Sequence, residues 1–219
     1  GFQVTPIILP DDVGGALILC TPFNEIIALN PINGEKKWSY DPKIDLRPFA
    51  GRFSCRGLAQ WRNPKLQLTE ICAHSLFLAA NDKRLIAVDA QTGELCPAFG
   101  NNGIVDVTPV IKNLEPTNQI RAMQLKSPPA VVNGVIVIGG TGNKFKDASS
   151  VNGAVRGFSA VDGSFLWAFD TLIRDEDNPE ALPYDVGGAN VWTTMSVDSK
   201  RDLVFVPTAS AAPNFYGGL

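Results

Sequence analysis

A thirteen-residue pattern that occurs three times constrains the fold of this chain more than any other feature of its sequence. The copies are Ile26–Trp38 (IIALNPINGEKKW), Leu85–Pro97 (LIAVDAQTGELCP) and Val155–Trp167 (VRGFSAVDGSFLW). The shared pattern is an apolar residue, any residue, a small residue and an apolar residue, then Asn, Asp or Ser, a glycine four residues later and tryptophan four residues after that. The second copy has Pro97 in place of the tryptophan. Such a repeat predicts an array of similar structural units.

Each copy predicts a β-hairpin. Alternating apolar residues form a half-buried strand, the Asn/Asp and Gly close a tight turn, and the aromatic residue returns on the next strand. A further apolar strand precedes each copy, in the segments ALILCTP, SLFLAAND and GVIVIGG. Because the runs are short and helical periodicity is almost absent, we expect an all-β protein.

The spacing of the copies predicts a β-propeller. The copies are about 60 and 70 residues apart, which leaves room for four strands and long loops in each blade. We expect blades at approximately 1–40, 41–110 and 111–185, and the start of another at 186–219, in VWTTMSVDSKRDLVFVPTAS. Three to four blades do not close a ring, so the chain is expected to be part of a longer propeller. A solenoid-like open stack of sheets is the alternative.

Composition excludes several classes of function. A net charge of −3, with 19% charged residues, provides no basic surface, so nucleic acid is not an expected partner. No apolar run reaches the roughly 18 residues of a membrane span. The first residues, GFQVTPIILP, lack the pattern of a signal peptide, but the chain begins inside a strand-like run.

The cysteines and the single histidine narrow the chemistry further. Cys20, Cys55, Cys72 and Cys96 include no CxxC pair, which argues against a zinc site. Their even number fits two disulfides in an oxidising compartment or four buried thiols, and all three pairings remain open. His74 is expected at the surface or at a strand end. A hydrolytic propeller would need a catalytic acid pair or a Ser/His arrangement, and the position of His74, the only histidine, at the start of a strand argues against that class.

Three segments, together with the tryptophan-terminated repeat, resemble a known family. They are SCRGLAQW (Ser54–Trp61), NGAVRGFSAVDGSFLWAF (Asn152–Phe169) and GGANVWTTMSVDSKRDLVFVPTASAAPNFYGG (Gly187–Gly218). In order along the chain, they are similar to quinoprotein dehydrogenases that use pyrroloquinoline quinone (PQQ), especially the membrane-bound glucose and quinate dehydrogenase branch. The resemblance implies an eight-bladed propeller in the full protein, with residues 1–219 as its N-terminal portion.

The resemblance also implies a function. The cofactor of the family lies on the propeller axis and carries three carboxylates and an ortho-quinone. A divalent cation, Ca²⁺ (or Mg²⁺), bridges its quinone, ring nitrogen and one carboxylate. The full enzyme would oxidise a sugar, polyol or cyclic alcohol and pass electrons to ubiquinone or a cytochrome. The general base is an aspartate of a later blade, so no catalytic residue is expected within this chain, which alone would be inactive. A periplasmic location is implied, with any membrane anchor outside the chain.

Five residues match cofactor or metal positions of the family. Arg56, in CRG, matches the arginine that contacts the cofactor, and its planar fork suits a carboxylate. Ser127 and Thr141 would supply hydroxyl groups, and Trp192 would also contact the cofactor. Asn190, in GANVW, matches an asparagine whose side-chain oxygen binds the metal. The alternatives are a surface arginine paired with an acid, a turn asparagine and a solvated loop around Thr141.

Other positions depart from the family or are less specific. Asn152 stands where alcohol-oxidising members have a metal-binding glutamate, and is expected at the metal without that charge. Lys126 replaces a common threonine, and Lys144 falls near an acidic position. Gln60 and Trp61 are expected at the substrate mouth, with a packed Trp61 as the alternative.

Two further expectations complete the sequence-based hypothesis. The alcohol dehydrogenases of the family have an adjacent Cys-Cys disulfide that this chain lacks, and the arrangement of the blades favours Cys20 near Cys55. The rival function is a non-catalytic propeller with the same repeat that acts as an interaction scaffold. Such a scaffold would carry no convergent Arg, Asn and Thr side chains at the axial ends of its strands.

Overall fold

The structure, a computed structural model, describes residues 2–45, 53–112, 123–141, 153–173 and 187–212, and its regular secondary structure there consists almost entirely of antiparallel strands. The first sheet contains β1 (Ile7–Ile8), β2 (Leu17–Cys20), β3 (Ile26–Leu29) and β4 (Lys36–Tyr40). The second contains β5 (Ala59–Arg62), β6 (His74–Ala79), β7 (Arg84–Asp89) and β8 (Ile104–Asp106). The third contains β9 (Ala130–Val132), β10 (Val135–Ile138), β11 (Val155–Ser159) and β12 (Phe165–Phe169). The fourth contains β13 (Ser196–Asp198) and β14 (Leu203–Phe205).

Each sheet is an up-and-down blade in which every strand pairs with the next one in sequence. Strand β9 contacts both β5 and β13, so the first strands of successive blades adjoin one another. They form the inner edge of an incomplete propeller, which confirms the predicted fold class. Two short helices, a 3₁₀ turn at Asp11–Val13 and α1 at Thr108–Lys112, add to the strands. No helix within the described ranges is long and apolar enough to cross a membrane.

The three repeat copies form the predicted hairpin turn with the same hydrogen bond. In each, the N–H of the glycine donates to the carbonyl four residues earlier, and the glycine has a left-handed φ between +74° and +75°. The bonds are Gly34 to Asn30, Gly93 to Asp89 and Gly163 to Ser159, each 2.9 Å. The glycine of the pattern is therefore required by backbone conformation.

The tryptophan of the pattern packs one blade on the next. The ring of Trp38 lies against Gly93, the turn glycine of the second blade, where a Cβ would overlap it. At the next interface Pro97 replaces the tryptophan, and a Cβ on Gly163 would instead lie 2.6 Å from Val105 and 3.1 Å from the ring of Phe99. The departure in the second copy is thus offset by an aromatic residue two positions later.

The core lies between the blades. Because the second blade has a neighbour on each side, β6 and β7 are almost entirely buried and alternate residues serve different clusters. Leu76 and Ile86 pack with the first blade, whereas Phe77 and Leu85 pack with the third. A smaller cluster around Val191 joins the third blade to the fourth.

Two disulfides, Cys20–Cys55 and Cys72–Cys96, use all four cysteines. The expected proximity of Cys20 and Cys55 is confirmed.

Candidate functional site

The segments that lead into the inner strands meet at one end of the propeller. Arg56, Ser127 and Thr193 each lie three residues before an inner strand, β5, β9 and β13 respectively. The backbone N–H of Thr5, in the lead-in of the first blade, donates to the carbonyl of Arg56 at 2.8 Å. Gly57 leaves room for the second and third lead-ins to touch, since a Cβ there would lie 3.3 Å from Pro128. These equivalent positions therefore surround one end of the axis.

Arg56 and Trp192 form the central contact of this end. The guanidinium carbon of Arg56 lies 4.9 Å from the centre of the Trp192 ring, a cation–π arrangement between the second and fourth blades. The Trp192 side chain remains 41% exposed. Burial lowers the pKa of Arg56, but an arginine stays protonated at physiological pH. Within the described ranges it pairs with no carboxylate, which disagrees with the alternative of a surface arginine bound to an acid.

Ser127 joins two blades. Its buried hydroxyl donates to the carbonyl of Thr193 at 2.6 Å. This hydrogen bond links the third blade to the fourth, and the expected contact of Ser127 with the cofactor stays a prediction. Its role in the structure is to hold the segment that contains Trp192.

Asn190 is fully buried in the segment before β13. Two glycines of the third blade permit this close approach. A Cβ on Gly139 would overlap Val191, and one on Gly153 would overlap the backbone of Ala189. Asn190 is therefore held between the third and fourth blades, two residues from Trp192.

Thr141 follows β10 and reaches the same end of the third blade as Ser127. Its backbone exchanges two hydrogen bonds with Gln124, of 2.8 and 2.9 Å. Thr141 is the last described residue before the loop, so Lys144 and Asn152 lie outside the described residues. The structure thus brings Arg56, Ser127, Trp192 and Asn190 to one end, with Thr141 at that end of the third blade.

Gln60 and Trp61 are not brought to this end. Oε1 of Gln60 accepts a hydrogen bond of 3.0 Å from Nε2 of His74, and its amide nitrogen is 3.4 Å from the carbonyl of Ile8. Trp61 packs against the core between the second and third blades, where it lines a cavity of about 260 Å³ with Phe99. The alternative of a packed Trp61 agrees with this position.

His74 does open a strand, but it is buried and not at the surface. Burial is the main cause that lowers the pKa of His74; Arg62 lowers it further, whereas Asp12 and Asp89 raise it. Over the residues with described positions, no group of three His, Cys, Asp or Glu side chains could hold a metal ion.

The sequence reasoning missed Thr193, whose carbonyl receives the Ser127 hydrogen bond. The signal that could have identified it is positional. When the blades are aligned on the starts of their inner strands, Thr193 takes the place of Arg56 and Ser127.

Comparison with known proteins shows which family the chain is related to. Residues 1–219 match the family described as "PQQ: Glucose/ethanol/alcohol dehydrogenase, beta-propeller domain". The quinoprotein glucose dehydrogenase of Escherichia coli (strain K12) is 30% identical over 227 residues, covering 99% of this chain and 27% of that protein. The glycerol dehydrogenase large subunit of Gluconobacter thailandicus is 31% identical over 212 residues, covering 96% and 28% respectively.

Solved structures give the same relationship. The quinohemoprotein alcohol dehydrogenase of Pseudomonas putida HK5 has a TM-score of 0.71 and 25% identity, covering 97% of this chain and 29% of that one. The chain spans 27% to 28% of the length of the two relatives named above. It belongs to the β-propeller family of the PQQ-dependent glucose, ethanol and alcohol dehydrogenases.

Proposed function

We propose that this chain forms one side of the PQQ site in a dehydrogenase that oxidises a sugar, polyol or cyclic alcohol. The observation that supports this most directly is the convergence of Arg56, Trp192 and Asn190 at one end of the inner strands. The family and the glucose and glycerol dehydrogenase relatives support the substrate class.

The residues at this end fit a flat cofactor with three carboxylates. Arg56 is a cation without an acidic partner in the described residues, and its planar fork can donate two parallel hydrogen bonds to a carboxylate. Trp192 presents an exposed face of an aromatic ring, on which a flat ligand can stack. Thr141 can donate its hydroxyl from the third blade.

Asn190 is the proposed metal ligand, because a side-chain amide oxygen is the hard donor that Ca²⁺ or Mg²⁺ prefers. Asn152 would be a second neutral ligand, and the remaining ligands would come from outside the described residues. Two amide oxygens carry no charge, so metal affinity should be lower than in a site with a glutamate.

The bound cofactor would accept the hydride from the substrate carbon. The residues of this chain would bind and orient the cofactor, while the aspartate that removes the hydroxyl proton would belong to another part of the full-length protein. The remainder of the propeller is therefore a required partner, and this chain alone should show no turnover. Ubiquinone or a cytochrome would be the acceptor, in the periplasm or at the inner membrane.

Reconstitution of the full-length protein tests the proposal. We expect reduction of an artificial dye that depends on added PQQ and calcium, with glucose, quinate, glycerol or a simple alcohol as substrate. Arg56→Gln should weaken PQQ binding, whereas Arg201→Gln, at an exposed cation paired with Asp198, should not. Asn190→Ala should raise the calcium concentration needed for half-maximal rate. No cofactor-dependent reduction with any of these substrates would refute the dehydrogenase function.

The scaffold alternative has less support. A propeller used only for interaction has no reason to hold over an exposed tryptophan at its axial end an arginine that pairs with no acid in the described ranges.

A further inference from the structure

We propose that the Cys20–Cys55 disulfide is a positioning element for Arg56, which keeps the guanidinium oriented toward the cofactor. This inference rests on the proposed function and adds to it a pair of residues other than the five that match cofactor or metal positions. The bond joins the first blade to the lead-in of the second, next to the arginine itself.

The disulfide lies where it can act on Arg56. Cys20 ends β2 and is fully buried, and Cys55 is buried and directly precedes Arg56. Their Cα atoms are 6.0 Å apart. The covalent link therefore reaches the peptide unit that carries the arginine.

Hydrogen bonds within the described residues also hold this segment. The side-chain amide of Asn81 donates to the carbonyl of Ser54 at 3.2 Å, and Thr5 donates to that of Arg56 at 2.8 Å. Gly57 then passes between Thr5 and Pro128 with a φ of +155°. Of these restraints, only the disulfide is covalent, and it anchors the segment to the β2 strand of the first blade.

Restraint of the backbone matters because arginine is long and flexible. A side chain that is already placed over Trp192 loses less conformational freedom when it binds a ligand. Without the link, Arg56 would have to be ordered at the moment of binding, and affinity would fall.

The second disulfide provides a matched control. Cys72 precedes β6 and Cys96 follows β7, and both line the cavity that contains Trp61. The sequence separations are 35 residues for Cys20–Cys55 and 24 for Cys72–Cys96. The two bonds should therefore constrain the unfolded chain to a similar degree, but only one adjoins Arg56.

The test uses the full-length protein and direct titration with PQQ, followed by quenching of tryptophan fluorescence. Cys20→Ala/Cys55→Ala should weaken binding about two- to tenfold, the cost of immobilising one long side chain. Combined with Arg56→Gln, the same change should have no further effect on affinity. Cys72→Ala/Cys96→Ala should produce an equal, small change in both backgrounds.

The outcomes separate the two proposals. If the unmodified protein does not bind PQQ, the proposed function is wrong, and the inference with it. If it binds but Cys20→Ala/Cys55→Ala binds equally well, or weakens binding by the same factor with and without Arg56, only the positioning role is overturned. Should the alanine pair fail to fold, Cys55→Ala alone, which breaks the same bond and leaves Cys20 as a buried thiol, supplies the same comparison.

Discussion

At the scale of single residues, the contact between Arg56 and Trp192 explains more of the site than either residue alone. The guanidinium of Arg56 lies over an indole ring and pairs with no carboxylate among the residues that the structure describes, so its charge can bind an anionic ligand. Ser127 stabilises this contact, since its hydroxyl donates a hydrogen bond to the carbonyl of Thr193, the residue after the tryptophan. One cation–π contact and one hydrogen bond thus connect three blades at the proposed cofactor end.

His74 gives a prediction about pH at the same scale. Its Nε2 bonds to Gln60, while its Nδ1 is buried with no hydrogen-bond partner among the described residues, so protonation would bury an uncompensated charge. Burial lowers the folded-state pKa, so the unfolded state binds the proton first as the pH falls below about 6.5. This contribution to stability is therefore full above that pH and is lost below it.

The expected result is a urea midpoint that falls between pH 7.5 and 5.5. His74→Gln has no imidazole to titrate, so its midpoint should change less over the same interval. Asp12→Asn should have the opposite effect. Because Asp12 raises the pKa of His74, its loss should lower that pKa further and enlarge the fall of the urea midpoint. An identical pH dependence in the unmodified protein and in His74→Gln would contradict this account.

At the scale of elements, the hairpin turn and the tryptophan form one device that links consecutive blades. The small residue of the pattern pairs with the tryptophan across its own hairpin, as Ala28 does with Trp38 and Gly157 with Trp167. Both hairpins also have a β-bulge directly after this pair. The repeat therefore contains all three residues because the tryptophan contacts both others, the small residue of its own hairpin and, for Trp38, the turn glycine of the next blade.

Substitution of two turn glycines with the same conformation distinguishes the energetic cost of backbone strain from the cost of a packing overlap. Gly34→Ala and Gly93→Ala both place a Cβ at a φ near +75°, but only the second would also overlap a ring, that of Trp38. We expect Gly34→Ala to cost about 1 kcal/mol of unfolding free energy and Gly93→Ala about 2–3 kcal/mol. Trp38→Ala should remove most of this difference. The measurement compares the urea midpoints of the two glycine variants, each with and without Trp38→Ala. Equal costs for the two glycine substitutions would show that the contact between blades is weak.

A feature could be predicted from the sequence when the residues that determine it lie close together along the chain. The hairpins were predicted correctly because turn and strand residues lie within thirteen positions of one another. The compensation of Pro97 by Phe99 was not, since it depends on a turn in the next blade. Arg56 could be identified from its motif, but its contact with Trp192, 136 positions later, needs the packing of three blades. The packing of Trp61 against the core between the second and third blades likewise depends on residues far away in the sequence.

At the scale of the whole molecule, the described part of the propeller has an uncovered apolar side. Strand β12 exposes apolar side chains along its length, including Trp167, the aromatic residue of the third repeat copy. Phe205 of β14 is exposed as well. In the first interface the equivalent Trp38 lies on the glycine of the next blade, so this side is shaped to receive further strands.

This uncovered side predicts how the chain behaves by itself. Produced alone, residues 1–219 should self-associate, because Trp167 (39% exposed) and Phe205 (56% exposed) belong to the faces that another blade would cover. Phe169→Lys/Phe205→Glu should raise the monomer fraction measured by size-exclusion chromatography with light scattering. Ile32→Glu, at a 94% exposed turn position away from this side, should not. In the full-length protein the effect should reverse, since the same charges would then be buried between blades and would lower the melting temperature. A monomeric unmodified chain would mean that the side is covered by residues of this chain itself.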